Sequence, residues 1–353
     1  MSVTAPTDRS AGSRERRKPV RRSVLDLAVV ADGSSSSAAL AETTAVARRA
    51  DELGFDRFWV AEHHNFPTIA STSPPVLIAH LAASTSRIRV GSGGVMLPNH
   101  PALVVAEQFA LLEALHPGRI DLGIGRAPGT DPATAAALRR SPHGTGAEDF
   151  PHELIDLMGL LGDRRRDSGM WDRFLATPQL TSTPEIVLLG SSEYSAQLAG
   201  VLGLPYAFAH HFDVGTAIGT LEAVSLYRRS FRPSPARDQP YTIVTAGVLA
   251  AETAERAEYL AAPARLAMLS LRSGRRMSLV SPAQAARHPD LAIAMAMPSN
   301  RIVGDPDIVA ERLGALADRT HADELMISTM THGVEERIGT LEIVADIWAR
   351  CAS

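Results

Sequence analysis

The chain has 353 residues, 45% of them hydrophobic, which is long enough for one large α/β barrel or for two medium domains. Its 35 Lys and Arg against 39 Asp and Glu give a formal net charge of −4, so no overall positive field exists to attract nucleic acid or an anionic membrane. The only cysteine is Cys351, which excludes an internal disulfide or a cysteine-based zinc site and suits a reducing cytoplasm.

The first 22 residues carry seven Lys and Arg side chains among Ser, Thr, Pro and Gly, and they offer almost nothing apolar to bury. This composition is typical of disorder, so we expect a basic tail over 1–22 and one catalytic domain over 23–353. No apolar run reaches the roughly 18 residues of a membrane span, and the short run at 24–30 suits a first strand better than a secretory signal. We therefore expect a cytoplasmic protein that acts on small molecules, without a nucleic-acid or membrane partner.

From residue 23 onward, short β-branched runs alternate with amphipathic helical patterns, as in a parallel sheet covered by helices. The predicted strands are 24–30, 57–61, 88–97, 120–125, 185–190, 206–209, 241–250 and 324–329, and the predicted helices are 37–53, 101–115, 149–161, 194–202, 216–230, 251–272, 306–319 and 334–350. Eight alternating units favour an α/β fold of the (β/α)8 TIM-barrel kind over an open doubly wound sheet. The connections 162–184 and 273–301 predict insertions after strands four and seven, and we expect the second to be either a substrate lid or a disordered loop.

The second predicted strand ends in Glu62, His63 and His64, at the edge of the barrel where TIM-barrel active sites lie. A histidine there could transfer protons near neutral pH, although two ordinary loop histidines would satisfy the same pattern. Adjacent side chains on an extended segment point to opposite faces, so His63 and His64 do not favour a shared metal ion. We predict no metal site.

The third predicted strand contains Ser92, Gly93 and Gly94 near its end. Two adjacent glycines weaken a strand, so they indicate either a close approach of the backbone to a ligand or a bulge needed for barrel closure. The loop that follows carries His100, which could also face the mouth of the barrel.

The fourth predicted strand ends in the sequence GIGR at 123–126, which superficially resembles a dinucleotide-binding fingerprint. The position of the third glycine is Pro128, so that interpretation fails. Arg126 remains as a guanidinium at the barrel mouth, able to hold a phosphate by two parallel hydrogen bonds.

The fifth predicted strand is followed by Ser191, Ser192, Tyr194 and Ser195 at the start of a helix. Hydroxyl groups and free backbone N–H groups at a helix start favour an anion, although N-capping explains Ser192 equally well. Together with Arg126 on the neighbouring strand, these residues are better explained by a phosphate site.

Four motifs taken in order resemble the luciferase-like flavin monooxygenase family: AEHH at 61–64, VGSGGV at 90–95, GIGR at 123–126 and LGSS at 189–192. The resemblance spans about residues 23–350 and is closest to family members that tailor aromatic polyketides. It implies that His63 is the active-site histidine, that His64 is its catalytic neighbour, and that a non-prolyl cis peptide joins Gly93 and Gly94 behind the flavin ring. It also implies a set of cofactor-binding residues: Glu62, Ser92, Gly93, Gly94, Arg126, Ser191, Ser192, Tyr194 and Ser195.

The resemblance further implies reduced FMN supplied in trans by a separate flavin reductase, O2 as cosubstrate, a small organic substrate and a homodimer. A role in secondary metabolism and an aromatic polyketide substrate follow from the closest family members. Gly125 stands where luciferase has a reactive cysteine, which argues against light emission. Three alternatives remain open: a deazaflavin-dependent dehydrogenase, a flavin-sequestering protein without turnover, and a metal-dependent hydrolase, which the absence of His-x-His from the first predicted strand disfavours.

Overall fold

Parallel strands pair in chain order around the molecule, and the last barrel strand pairs with the first, so the sheet closes. The structure is a computed structural model that describes residues 20–127, 129–139, 148–212, 218–275 and 277–352. The strands are β1 (Arg21–Asp26), β2 (Arg57–Val60), β3 (Arg89–Ser92), β4 (Val95–Met96), β5 (Ile120–Gly125), β6 (Glu185–Gly190), β7 (Tyr206–Phe208), β8 (Thr242–Ala250), β9 (Ile302–Gly304) and β10 (Glu324–Ser328). β3 and β4 both pair with β5 and together form the third barrel strand, whereas β9 pairs with the end of β8. This eight-stranded parallel barrel confirms the predicted fold.

Helices cover the outside of the barrel. They are α1 (Ser36–Glu52), α2 (Pro74–Ser84), α3 (Ala102–Leu115), α4 (Pro132–Arg139), α5 (Phe150–Leu160), α6 (Glu193–Leu202), α7 (Thr220–Ser230), α8 (Ala254–Arg272), α9 (Pro282–Ala285), α10 (Leu291–Ala296), α11 (Pro306–Thr320) and α12 (Val334–Ala352). α11 illustrates why they form: Asp305 caps it by accepting the Ile308 N–H at 3.0 Å, and Val309 and Leu313, four residues apart, are buried on one face. In the part of the chain described, no helix is both long enough and apolar enough to cross a membrane.

The barrel has two apolar layers. Its interior is filled by Leu25, Trp59, Val187, Ala207, Ile243 and Met326, and a larger cluster lies between the strands and the surrounding helices. Strands buried on both faces need apolar residues at almost every position, as β8 has. This burial agrees with the short β-branched runs from which the strands were predicted.

The structure corrects three sequence predictions about the first half of the barrel. β1 begins at Arg21, so the predicted tail over 1–22 is too long at its end; residues 1–19 lie outside the described residues. β1 ends at Asp26, four residues earlier than predicted, because the Asp26 carboxylate accepts the Ala28 N–H at 2.7 Å and Ala28 turns the chain with a φ of 51°. The predicted strand 88–97 is interrupted at the two glycines.

Four helices were not predicted, namely α2, α4, α9 and α10, and the last two lie in a segment that was expected to be a lid or a disordered loop. α2 is apolar on nearly every side, so it lacks the polar stripe by which an amphipathic helix is recognised. The segment 273–301 contains α9 and α10, and it packs on α8 through Leu266, Ala285 and Ala294. The segment is therefore a folded part of the barrel's carboxyl end, and the expectation of a disordered loop was wrong.

Candidate active site

Buried Glu62, two residues after the end of β2, is the centre of a hydrogen-bond cluster. Its Oε1 accepts hydrogen bonds from His64 Nε2 at 2.9 Å, His100 Nε2 at 2.8 Å and Asn99 Nδ2 at 3.2 Å, and its Oε2 accepts the Met96 N–H at 3.0 Å. Burial raises the pKa of Glu62, but the hydrogen bonds from His100 and His64 outweigh it and lower that pKa to about 2. Glu62 is therefore an anion at neutral pH that holds two histidines in place.

The same cluster has the composition of a metal site, which the sequence argument overlooked. The candidate ligand atoms of Glu62, His64 and His100 lie within 4.8 Å of one another. The argument against a metal considered the adjacent pair His63 and His64, whereas Glu62 and His64 are two apart and share one face of an extended segment. Both imidazole Nε2 atoms are directed at Glu62 Oε1, so hydrogen bonding accounts for the cluster. The absence of a metal stays a prediction.

His63 is separated from this cluster and has a different environment. Its Nδ1 is buried without a hydrogen-bond partner among the described residues, and its ring lies edge-on to Phe66 with centroids 6.4 Å apart. Burial lowers the pKa of His63 below its ordinary value of 6.5, more than the Glu62 charge raises it. His63 is thus a neutral imidazole near pH 7, the protonation state that a general base requires.

The two glycines after β3 make close contact with the barrel. The Gly93–Gly94 peptide bond is cis, as the resemblance implied. A Cβ on Gly93 would lie 2.6 Å from Leu25 Cδ1, and a Cβ on Gly94 would lie 2.8 Å from the Gly123 carbonyl oxygen. Both missing side chains therefore point into packed protein. A side chain at Gly94 would therefore meet the neighbouring strand and not a bound ligand.

Ser92 also contacts the neighbouring strand. Its buried hydroxyl donates to the Gly123 carbonyl oxygen at 2.8 Å, so it contributes to the pairing of the third and fourth barrel strands. Its assignment to a cofactor stays a prediction.

Arg126, directly after β5, lies beside the first turn of α6. Its guanidinium carbon is 4.3 Å from the centroid of the Tyr194 ring, a cation–π contact that orients the charged group. Among the residues that the structure describes, no carboxylate lies within 4.0 Å of Arg126. The sequence prediction that brought Arg126 and Tyr194 to one place therefore agrees with the geometry.

The serines at the start of α6 take part in helix capping. Ser192 is the N-cap, and the Ser195 hydroxyl donates to the Ser192 carbonyl oxygen at 2.9 Å. Ser195 is buried, whereas Ser191 and Ser192 are partly exposed. Capping thus explains Ser192 and Ser195, while the partly exposed hydroxyls and the positive end of the helix dipole still adjoin Arg126.

The sequence analysis did not predict the hydrogen bonds that join the loops of the site. The Thr130 hydroxyl donates to the His64 carbonyl oxygen at 2.9 Å, and Asn65 Nδ2 donates to Asp131 Oδ2 at 3.3 Å, so the loop after β5 is fixed to the loop after β2. Asn99 was not singled out either. The signal available for it was only its position beside His100 in a strand-end loop.

Comparison with known proteins assigns this barrel to a family. The sequence model of the family described as luciferase-like monooxygenase matches residues 20–323 of this chain. A luciferase-like monooxygenase of Escherichia coli (strain K12) is 39% identical over 335 residues, covering 94% of this chain and 97% of that protein. An N-acetyl-S-alkylcysteine monooxygenase of Bacillus subtilis (strain 168) is 33% identical over 333 residues, covering 93% of this chain and 98% of that protein.

Among solved structures, that of apo-MsnO8 matches with a TM-score of 0.84 and 37% identity, covering 94% of this chain and 98% of that chain. The chain belongs to the luciferase-like monooxygenase family, a family of oxidoreductases. The resemblance inferred from the four motifs is confirmed.

Proposed function

We propose that this protein is a flavin-dependent monooxygenase that takes reduced FMN from a separate reductase and uses O2 to oxygenate a small organic substrate. The observation that carries the proposal is the position of Arg126, which stacks on Tyr194 beside the start of α6 without a carboxylate partner among the described residues. A guanidinium and a helix N-terminus are both positive, and together they fit a dianionic phosphate. This fit supports FMN.

Each part of the mouth has a role in this proposal. Arg126, Ser191 and Ser192 bind the phosphate, and Tyr194 holds the guanidinium in position. When bound, reduced flavin supplies the two electrons that oxygen activation requires. His63, neutral and with an unsatisfied buried Nδ1, accepts a proton close to the reacting groups.

Glu62 acts through the residues that it holds. Its carboxylate fixes the rings of His64 and His100, so we assign His64 to positioning and to hydrogen bonding at the mouth. Gly93 and Gly94 pack closely against the neighbouring strands, and we assign their main chain to the wall of the cofactor site.

The substrate is proposed at the level of class. The Bacillus subtilis relative named for N-acetyl-S-alkylcysteine supports a small organic molecule. An aromatic polyketide and a role in secondary metabolism stay expectations from the sequence resemblance, as does the cytoplasmic location.

Substitution of Arg126 tests the phosphate site. We expect Arg126→Ala to weaken FMN binding about 10- to 150-fold, the range for a charged hydrogen bond, and to leave riboflavin binding almost unchanged. The affinities are measured by quenching of flavin fluorescence. Arg256→Ala is the matched control, because Arg256 is an exposed arginine 5.4 Å from the Tyr259 ring on α8. Equal weakening of FMN and riboflavin by Arg126→Ala would remove Arg126 from the phosphate site.

A further inference from the structure

A recess that the proposed flavin site does not use lies at the carboxyl end of the barrel. It has a volume of about 130 Å³ and is enclosed by α8, by the end of the segment 273–301 and by the turn after β7. Its polar walls include Arg265, Arg301, His211 and Asn300. Arg272, which is exposed, also lines the recess, and three arginines around one recess raise the question of what balances their charge.

Arg301 contacts no counterion in the part of the chain that the structure describes. Among the described residues no carboxylate lies within 4.0 Å of it, and its Nη2 contacts the sulfur of Met330 at 3.6 Å. Burial, with a smaller effect of nearby Arg265, lowers the pKa of Arg301 to about 10. The guanidinium is therefore still charged at neutral pH.

Arg265 is only weakly compensated. Its Nε is buried without a hydrogen-bond partner in the part of the chain described, and the Glu258 carboxylate lies 3.9 Å from its Nη2, beyond hydrogen-bond distance. A buried charge without a partner is unfavourable, and proteins normally pair such charges. His211 does not supply a negative charge; its Nδ1–H donates to the Thr245 carbonyl oxygen at 3.3 Å. An anionic ligand would give Arg301 a partner that the described residues do not supply, and it would complete the weak pairing of Arg265.

A second, mostly apolar cavity lies beside this recess. It is lined by Phe66, Met277 and Met330, and it shares Ala264 and Met268 with the first. Phe66 is also the residue whose ring contacts His63. The arginine pair and Phe66 therefore line two neighbouring cavities that share the wall residue Met268, and methionines of this kind adapt to a flexible apolar group.

We propose that Arg301 and Arg265 bind the carboxylate of an amphipathic acid, the apolar part of which lies against Met268, Met330 and Phe66. A guanidinium matches the two oxygens of a carboxylate with parallel hydrogen bonds. That this acid is the molecule oxygenated rests on the proposed function; the binding site itself does not. The geometry narrows the substrate from any small organic molecule to a carboxylic acid with an apolar chain.

Binding of hexanoate and of its neutral analogue hexanamide to the full chain tests the proposal by isothermal titration calorimetry. We expect wild type to bind hexanoate about 10- to 150-fold more tightly than hexanamide, as for a charged hydrogen bond. Arg301→Met should abolish this preference, and Arg301→Lys should keep part of it. Arg256→Met, which removes an exposed arginine of α8 outside the recess, should change nothing. Circular dichroism shows that each variant is folded.

Two results would overturn the proposal. One is equal affinity of wild type for hexanoate and hexanamide. The other is that Arg301→Met keeps the preference for hexanoate but binds FMN more weakly, while its riboflavin binding is unchanged. That result would assign the arginine pair to the cofactor phosphate. Failure of the proposed function gives a different result from both. A wild-type protein that binds no flavin but prefers hexanoate would support the anion site and contradict only the assignment as an oxygenase.

Discussion

Glu62 and His63 are neighbours in the chain with opposite electrostatic environments. Glu62 receives four hydrogen bonds and stays ionised, whereas His63 has a buried nitrogen without a partner among the described residues and stays neutral. The extended backbone after β2 separates them by turning successive side chains to opposite faces. One anion that positions other groups and one neutral base therefore arise from two adjacent residues.

His63→Ala tests the base. We expect the fold to be retained and turnover to fall about 100- to 10,000-fold, the usual loss for a general acid–base group. Because burial lowers the pKa of His63 below 6.5, the acid limb of the wild-type pH profile of kcat/KM should lie below pH 6.5. Steady-state rates from pH 5 to 8 with a reductase-coupled assay check both points. A folded variant with wild-type rates would exclude His63 from the reaction.

Glu62→Gln tests the charge of the cluster through stability. The folded-state pKa of Glu62 is depressed from 4.5 to about 2, so its ionisation stabilises the folded state above pH 4.5 and loses that effect as the pH falls toward 2. The shift corresponds to at most about 3 kcal/mol. Urea unfolding of both proteins should therefore show a difference that is largest near pH 7 and shrinks below pH 4.5. A difference that does not depend on pH would contradict the assigned ionisation.

At the scale of elements, the break between β3 and β4 is packed closely against the neighbouring strand. A Cβ on Gly94 would meet the Gly123 carbonyl oxygen at 2.8 Å and Leu189 Cδ1 at 3.0 Å. We expect Gly94→Ala to lower the free energy of unfolding by about 1–3 kcal/mol, as overpacking does. Thermal or urea unfolding measures the change.

Gly339→Ala is the matched control for that substitution. A Cβ there would meet no atom within 4 Å, and the residue lies inside α12, so alanine should raise stability by about 0.5–1 kcal/mol. Unchanged stability of Gly94→Ala would show that the strands can separate, and the glycines would then not be required by packing.

The sequence predicted elements where periodicity or composition was distinctive. α11 was predicted at 306–319 from its amphipathic pattern, and the structure, in which Asp305 caps the helix, places it at Pro306–Thr320. α2 was missed because its apolar residues surround the helix. β1 was shifted because its end is set by a side-chain hydrogen bond from Ala28 to Asp26, which no periodicity reveals.

At the scale of the whole molecule, α2 and α3 expose apolar side chains on adjacent helices. The residues are Val76, Val104, Leu111 and Leu115. Exposed apolar patches of this kind are typical of protein interfaces. We therefore retain the proposal of a homodimer and place its interface on these helices.

Leu111→Glu tests that interface. A charge at its centre should convert a dimer into a monomer while the barrel stays folded, as measured by size-exclusion chromatography with light scattering. Val201→Glu, at an exposed valine of α6, should leave the mass unchanged. A wild-type monomer, or a Leu111→Glu dimer, would contradict this interface.

The candidate site was predictable only in part, for a topological reason. Parallel barrel strands bring their carboxyl ends to one edge, so Glu62, His63 and Arg126 could be grouped from the sequence. Arg265 and Arg301 could not, because Arg265 lies in a helix and Arg301 lies at the end of a long insertion, and only the packing of 273–301 on α8 brings them together. Whether a charged side chain has a partner depends on the tertiary structure, so the sequence pattern could not reveal this pair.

The most direct test of the central claim is an anaerobic titration of the protein with reduced FMN and with a reduced deazaflavin, followed by rapid mixing with O2. We predict that reduced FMN binds, that the deazaflavin binds far more weakly, and that oxidation of the bound FMN is slowed or altered in His63→Ala. Preferential binding of the deazaflavin would contradict the account and indicate a dehydrogenase. Binding of FMN with the same oxidation kinetics in wild type, in His63→Ala and in free solution would contradict it as well, and would indicate a protein that only sequesters flavin.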